Sequence, residues 1–437
     1  MTKSILLTPF QKFFNTESLS GILLLAATVV ALVWVNSPFA ESYQALWEYQ
    51  LGFRTPFFAL NKPLLLWIND GLMAVFFFLI GLEIKRELMI GELNSMKKIA
   101  FPLIGAIGGM IVPVIFYLAL NDSPETMKGW GIPMATDIAF SLAVLKVLGK
   151  RVPLGLIIFL TAFAIVDDIG AVLVIALFYT GDIDVVLLLW AAGFLAILYF
   201  LTYKGFFSKY LGLIIGTVIW ILFLKAGIHP TIAGILMAFS VPVRQKILTS
   251  EYLNELTAIT DNLKKAKILD ESILSKEQRD EINHLEELTK KYQSPLQKLE
   301  DSLHGWVAYF IIPIFALANA GVSFSGSNID YHFVFVITIS LVLGKSIGIT
   351  GLVLLGKKLK LIDIPNDICT RHIIGVSFLA GIGFTMAIFI ASLAFIGDPV
   401  HIDSAKIGIL IGSFIAAVIG YIILRLNTNK PKISSEQ

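Results

Sequence analysis

Residues 154–178 form an apolar run with two adjacent acids, Asp167 and Asp168, in its middle. Before the pair, Leu154 to Val166 is broken only by Gly155 and Thr161; after it, Ile169 to Phe178 is broken only by Gly170. As a helix rising about 1.5 Å per residue, this run crosses a hydrocarbon layer of ~30 Å and sets both acids near its midplane. A carboxylate at that depth costs on the order of 3 kcal/mol or more. Two in succession make a purely structural role a poor explanation. The rest of the chain then has to hydrate, neutralise and expose the pair.

The composition agrees with a membrane setting. Of 437 residues, 56% are hydrophobic and only 15% charged, which places the chain among polytopic membrane proteins. The net charge of +2 carries no signal for nucleic acid, and the single cysteine, Cys369, excludes an intramolecular disulfide. Windows long enough to span fall at 19–36, 64–83, 100–119, 130–148, 154–178, 184–202, 210–224, 227–241, 305–322, 332–355, 373–396 and 405–424. Each is read as a helix, because lipid leaves an isolated segment no other way to satisfy its backbone. The first run is read as a retained helix, not a signal peptide, since many spans follow it. These twelve segments predict an all-α polytopic fold.

Basic residues test the count. With the N-terminus inside, the inner segments carry Lys3, Lys12, Lys85, Arg86, Lys97, Lys98, Lys146, Lys150, Arg151, Lys204, Lys209, Lys357, Lys358, Lys360, Arg371, Arg425, Lys430 and Lys432. The outer segments carry only Arg54, Lys62, Lys128, Lys225 and Lys406. This asymmetry puts both termini in the cytoplasm. The organisation expected is a cytoplasmic N-terminus (1–18), eight spans (19–243), a long cytoplasmic connection (244–304), four spans (305–426) and a tail (427–437). Residues 41–62 form an outer loop whose pieces suit a short hairpin, with Gly52 in the turn and Pro56 limiting it to an edge. Residues 251–298 are charge-rich, with Leu253, Leu256, Ile259 and Leu263 near helical spacing, and read as one or two amphipathic helices.

Few charges remain inside the spans: Asp70, Glu83, Asp137, Asp167, Asp168, Lys345 and, near an outer end, Lys225. One central lysine among several acids suggests a partly neutralised buried cluster. Two segments are interrupted, Gly129-Trp-Gly-Ile-Pro-Met-Ala-Thr-Asp137 in the fourth and Gly375-Val-Ser-Phe-Leu-Ala-Gly-Ile-Gly-Phe-Thr385 in the eleventh. Each is the second of a triplet, 3-4-5 and 10-11-12. Paired broken helices in two halves point to inverted-topology repeats with a site at the break. Glycines for close helix packing would explain either segment alone.

The strings Gly81-Leu-Glu-Ile-Lys-Arg-Glu87, Pro133-Met-Ala-Thr-Asp-Ile-Ala-Phe140, Ala164-Ile-Val-Asp-Asp-Ile-Gly170, Gly344-Lys345 and Gly381-Ile-Gly-Phe-Thr-Met386 resemble those of the NhaA-type sodium/proton antiporters. Trp67-Ile-Asn-Asp70 and Ala316-Leu-Ala-Asn-Ala-Gly-Val322 add to the match, which runs in order from about Ser18 to Leu426. The resemblance implies two discontinuous helices crossing at the midplane. It implies an electrogenic, pH-regulated exchanger of Na+ or Li+ against protons in the bacterial inner membrane, with no cofactor, and a homodimer joined through an outer hairpin. It also implies Asp168 as the principal cation ligand, Asp167 in the site and paired with Lys345, and Thr136 and Asp137 at the crossing. A cytoplasmic funnel tied to pH response would comprise Glu83, Arg86, Glu87, His229 and Glu300. Two departures stand out. Residues 245–295 exceed the usual connection, and Asp301 stands where a histidine is common.

Residue chemistry fits this reading. Na+ is a hard cation that takes oxygen ligands, which Asp167, Asp168, Thr136 and broken-helix carbonyls supply. Neighbouring helical residues point about 100° apart, so the two acids have unequal parts. A carboxylate that holds either a proton or Na+ couples the two fluxes. Other classes suit the residues less well. An intramembrane aspartyl protease needs acids facing each other from different helices, and a channel would show a lining repeated in each subunit. A sodium-coupled solute symporter could use the same ligands, but no extra polar pocket is evident. Taken singly, His229 reads as a hydrogen-bonded structural histidine before Pro230, Glu83 to Glu87 as a charged helix end, and His304-Gly-Trp306 as an interfacial anchor.

Overall fold

The computed structural model describes residues 9–54, 59–91, 96–181, 183–244, 247–265, 274–323, 329–365 and 367–427. Helix α1 (Pro9–Val35) leads to α2 (Ala40–Glu48), whose axis turns 113° from that of Leu19–Val35. Strands β1 (Gln50–Arg54) and β2 (Ala59–Pro63) form an antiparallel pair. Helix α3 (Leu64–Met89) contains a π-helical turn at Trp67–Leu72. Helix α4 (Met96–Leu120) is followed by a 3-10 segment (Met127–Met134), which passes through residues 135–137 into α5 (Ile138–Leu148). Next come α6 (Leu154–Phe178), α7 (Val185–Tyr203), α8 (Lys209–Lys225) and α9 (Thr231–Ser240). Helices α10 (Thr249–Lys265) and α11 (Lys276–Tyr292) precede α12 (Pro295–Asn319) and α13 (Tyr331–Lys358). These last two carry π-helical turns at Val307–Ile311 and Ser340–Gly344. Helices α14 (Thr370–Ala380), α15 (Phe384–Ala394) and α16 (Pro399–Leu426) complete the chain.

Each of the twelve apolar windows holds helix, so the protein is a helical, multi-pass membrane protein. Among the described residues, eight helices are long and apolar enough to cross a bilayer, or ten if two bent pairs each count as one span. The remaining windows hold α8, of 17 residues, and α9, of 10. Prolines bound α9: Pro230 precedes its first residue, and Val241, extended ahead of Pro242, ends it.

Among the described residues the only strands are those of this hairpin, and its glycine is not in the turn. Gly52 lies within β1, opposite Asn61, at φ +150°. A Cβ there would sit 1.9 Å from the Leu60 carbonyl oxygen, so close strand approach and the backbone angle both require glycine. Pro56 lies outside the described residues.

Glycines also set how the helices pack. Between α3 and α9, a Cβ on Gly234 would lie 2.3 Å from the Ala74 carbonyl oxygen, and one on Gly81 would lie 2.7 Å from the Ala238 Cβ. Between α4 and α13 the contact is reciprocal. A Cβ on Gly108 would meet the Gly348 carbonyl oxygen at 2.2 Å, and one on Gly348 would meet that of Gly108 at 2.1 Å. Reciprocity is what a two-fold relation between two units produces, and α4 and α13 open the two triplets, α4–α5–α6 and α13, the broken pair α14–α15, and α16. Lipid gives helices no hydrophobic reason to associate, so such small-residue contacts carry the packing.

Helices α10 and α11 form an antiparallel pair outside this helical body. Tyr252 stacks on Tyr292 at 4.0 Å, and Asn262 donates to Glu281 at 2.9 Å. Ser275 and Gln278 close a capping box at the start of α11. Hydrogen bonds from Lys290 and Lys291 lower the carboxyls of Glu286 and Glu287 from their ordinary value. At the base, the Leu296 amide donates to the Pro242 carbonyl, tying α12 to the end of α9.

Gly348→Val should force α4 and α13 apart and lower the melting temperature of the purified protein by several degrees, the effect of overpacking by about 1–3 kcal/mol. An unchanged melting curve would show that the helices do not approach this closely.

Candidate functional site

Asp167 and Asp168 stand near the middle of α6, 1% and 7% exposed. Lys345 follows the π-helical turn of α13 and is fully buried. Its ammonium donates to Asp167 Oδ2 at 2.9 Å and to the Thr136 hydroxyl. The inserted residue of a π turn shifts the register of the helix beyond it, and here it brings the lysine to face α6 and the broken segment together. Asp167 Oδ1 is buried without a hydrogen-bond partner. Among the described residues, Asp168 accepts no hydrogen bond. One carboxylate is thus half-occupied by lysine, and its neighbour has open oxygens.

The two broken helices cross beside this group. Along α14–α15 the axis bends by 42° over residues 381–383. The extended backbone of one break bonds to the other: the Asp137 amide donates to the Ile382 carbonyl at 2.6 Å. The Thr136 hydroxyl donates to the Ala380 carbonyl at 3.0 Å. The Ser141 hydroxyl reaches the Leu379 carbonyl at 2.8 Å and the Asp137 carbonyl at 2.8 Å. Hydroxyls across the break thus add partners to the last carbonyls of α14, of which that of Leu379 also accepts from the Ile382 amide at 3.1 Å.

Asp137 serves the opposite polarity. Its Oδ1 accepts from the Phe140 amide at 3.0 Å, capping α5, and its Oδ2 accepts from the Thr385 amide at 3.1 Å and hydroxyl at 2.7 Å, at the first turn of α15. One buried carboxylate therefore faces two helix N-termini, where negative charge is favoured. The matching N-cap of α15 is Gly383, which has no side chain to offer. Both oxygens of Asp137 are thus committed to hydrogen bonds at the crossing.

The residues grouped as one funnel divide. Arg86 Nε donates to both oxygens of Glu300, at 3.0 and 3.1 Å, joining α3 to α12, and its other arm meets Glu87 at 2.8 Å. Glu83 is buried one turn earlier on α3. His229 is not among them. It lies just before α9 beside Asp70, about 20 Å along α3 from Glu83 by helical rise. There its Nδ1 pairs with the Thr231 hydroxyl at 2.8 Å, its Nε2 lies 3.8 Å from Asp70 Oδ1, and its ring meets Phe389 edge-on at 5.3 Å. Lys62 of β2 bonds Asp70 at 2.8 Å, so the β-hairpin is latched to this end of α3. The reason is topological: His229 ends the connection from α8 to α9, whereas Glu83 to Glu87 end α3 at the opposite face.

Sequence reasoning passed over Thr385 and Ser141. A hydroxyl just after a glycine break is a weak capping signal, and the partners across the crossing, Asp137 for Thr385 and Leu379 for Ser141, are distant in sequence. Thr385→Val should cost about 2 kcal/mol, as expected for a buried hydrogen bond to a charged group, and lower the melting temperature, whereas Thr385→Ser should melt near the wild type. Equal melting of all three proteins would show that the hydroxyl does not hold Asp137.

The family model described as Na+/H+ antiporter 1 matches residues 11–424. The Na(+)/H(+) antiporter NhaA of Oleidesulfovibrio alaskensis is 47% identical over 425 residues, covering 96% of this chain and 94% of that protein. NhaA 1 of Saccharophagus degradans is 44% identical over 436 residues, covering 98% and 94%. NhaA of Koribacter versatilis is 43% identical over 437 residues, covering 98% and 95%. Matching in both family model and near-full-length relatives, and carrying paired broken helices beside a buried acid pair, the chain belongs to the NhaA family of Na+/H+ antiporters, a transporter family and not an enzyme family.

Proposed function

We propose that this protein exchanges cytoplasmic Na+ or Li+ for external protons by alternating access around Asp167 and Asp168. The observation that carries the reading is the unpartnered, buried Oδ1 of Asp167, next to an Asp168 free of protein hydrogen bonds among the described residues. A buried anionic oxygen without a donor is costly unless a proton or a cation joins it. Asp168 is the main ligand of the ion. Asp167 trades between Lys345, proton and ion, and Thr136 supplies a neutral oxygen once the lysine withdraws. Asp137 keeps the two helix N-termini neutral through the cycle.

Na+ entering from inside displaces protons, the two halves reorient about the crossing, and protons arriving outside displace Na+. Two acids and one lysine exchange their charges against a single monovalent ion, so a net charge can cross in each cycle. Regulation by pH enters on the cytoplasmic face at Glu83, Arg86, Glu87 and Glu300, where the Arg86–Glu300 pair ties α3 to α12. His229 belongs to the external mouth with Asp70. Both termini lie in the cytoplasm of a bacterial cell whose inner membrane holds the protein, and residues 244–304 form a cytoplasmic connection. The β-hairpin is the surface through which two copies pair. A sodium-coupled symporter would need a solute pocket beside the acids, and the polar contacts there serve the crossing itself.

In everted vesicles, Asp168→Asn should abolish Na+-driven proton movement while the protein still inserts and folds. Full exchange by that variant would remove Asp168 from the site. Lys345→Ala should weaken exchange or shift its pH profile, and a wild-type profile would mean that the pairing with Asp167 has no part in transport.

A further inference from the structure

The ammonium of Lys345 has a third neighbour. Its Nζ lies 5.8 Å from the centroid of the Phe163 ring, within the range at which a cation is attracted to an aromatic face. Phe163 stands four residues before Asp167 on α6, so ring and carboxylate share one helix face and the lysine reaches between them. Both Phe163 and Lys345 are fully buried, away from the water that weakens such contacts. The ring is also held in place. A Cβ on Gly109 of α4 would lie 3.1 Å from both the Phe163 Cζ and the Ile349 side chain, one turn beyond Lys345. Below it, Phe159 packs at 6.1 Å and in turn stacks on Phe101 at 4.2 Å.

We propose that Phe163 is a positioning residue for ion exchange: its ring is the second seat of the Lys345 ammonium, occupied when Na+ takes Asp167. This rests on the proposed exchange at Asp167 and Asp168. With Asp167 free, the carboxylate holds the lysine and the ring adds little. Once the ion takes Asp167, the ammonium loses its anionic partner in a medium without water to replace it. A fixed aromatic face on the same side of α6 offers compensation that Na+ does not compete for. Displacing lysine from Asp167 is therefore easier, and Na+ binds more tightly than an aliphatic residue at 163 would allow.

The test measures initial rates of Na+-driven proton movement against Na+ concentration in proteoliposomes. Phe163→Leu should raise the apparent KM for Na+ about fivefold, the effect of losing a desolvated cation–π contact, with the maximal rate retained. A loss of packing alone would lower folded yield or maximal rate instead. Phenylalanines of increasing ring fluorination at position 163 keep the shape while withdrawing the negative face, and KM should rise step by step. This series decides the matter if the leucine variant fails to insert. An unchanged KM in folded Phe163→Leu, or a flat series, would overturn the second seat. Wild-type vesicles without any Na+-driven proton movement would instead overturn the exchange reading itself.

Discussion

The structure depends on one pairing: a lysine and an aspartate, both out of reach of water, joined at 2.9 Å. Removing two charges from water costs several kcal/mol each, and their attraction repays this only when the remaining polar atoms are also satisfied. Here they are satisfied on one side only. Lys345 has Asp167 and the Thr136 hydroxyl. Asp167 has a free oxygen. A fully satisfied pair would be a strut; this one is a strut with an opening at Asp167 Oδ1.

The breaks in the two helices follow from the same need. An unbroken helix has no polar backbone to spare at the midplane. Interrupting two of them exposes amides and carbonyls, which must then be paired inside the protein. The pairing is divided by sign: Thr136 and Ser141 hydroxyls take the carbonyl end of α14, and Asp137 takes the amide ends of α5 and α15. This leaves the crossing neutral without spending Asp167 or Asp168. Close packing at Gly108 and Gly348, next to Lys345 on α13, lets the two halves approach near enough for the lysine to reach across.

How much of this was legible in the sequence depends on where each partner lies. Asp167 and Asp168 were legible because burial of charge is costly and their flanks are unmistakably apolar. The two breaks were legible because they fall at matching places in two triplets; proline and glycine alone do not mark one, since Pro102 and Pro113 lie inside the unbroken α4. The roles of Thr385 and Ser141 were not, since their partners are 248 and 238 residues away and hydroxyls are common in spans. Phe163 looked like one more apolar residue until Lys345 was placed beside it. Glycine at 52 suggests a turn, because turns favour glycine, whereas the close approach of the Leu60 carbonyl is what demands it. Resemblance groups His229 with distant charges, whereas its place between α8 and α9 sets it with Asp70.

The central claim is that Na+ and protons compete for one buried site. Titration calorimetry on purified protein tests it directly, with Na+ added at constant pH in buffers of different ionisation enthalpy. Competition requires that Na+ binding release protons to the buffer, so the measured heat should change in proportion to that enthalpy. Saturable Na+ binding with the same heat in every buffer would mean that no proton leaves, and would contradict competition at Asp167 and Asp168.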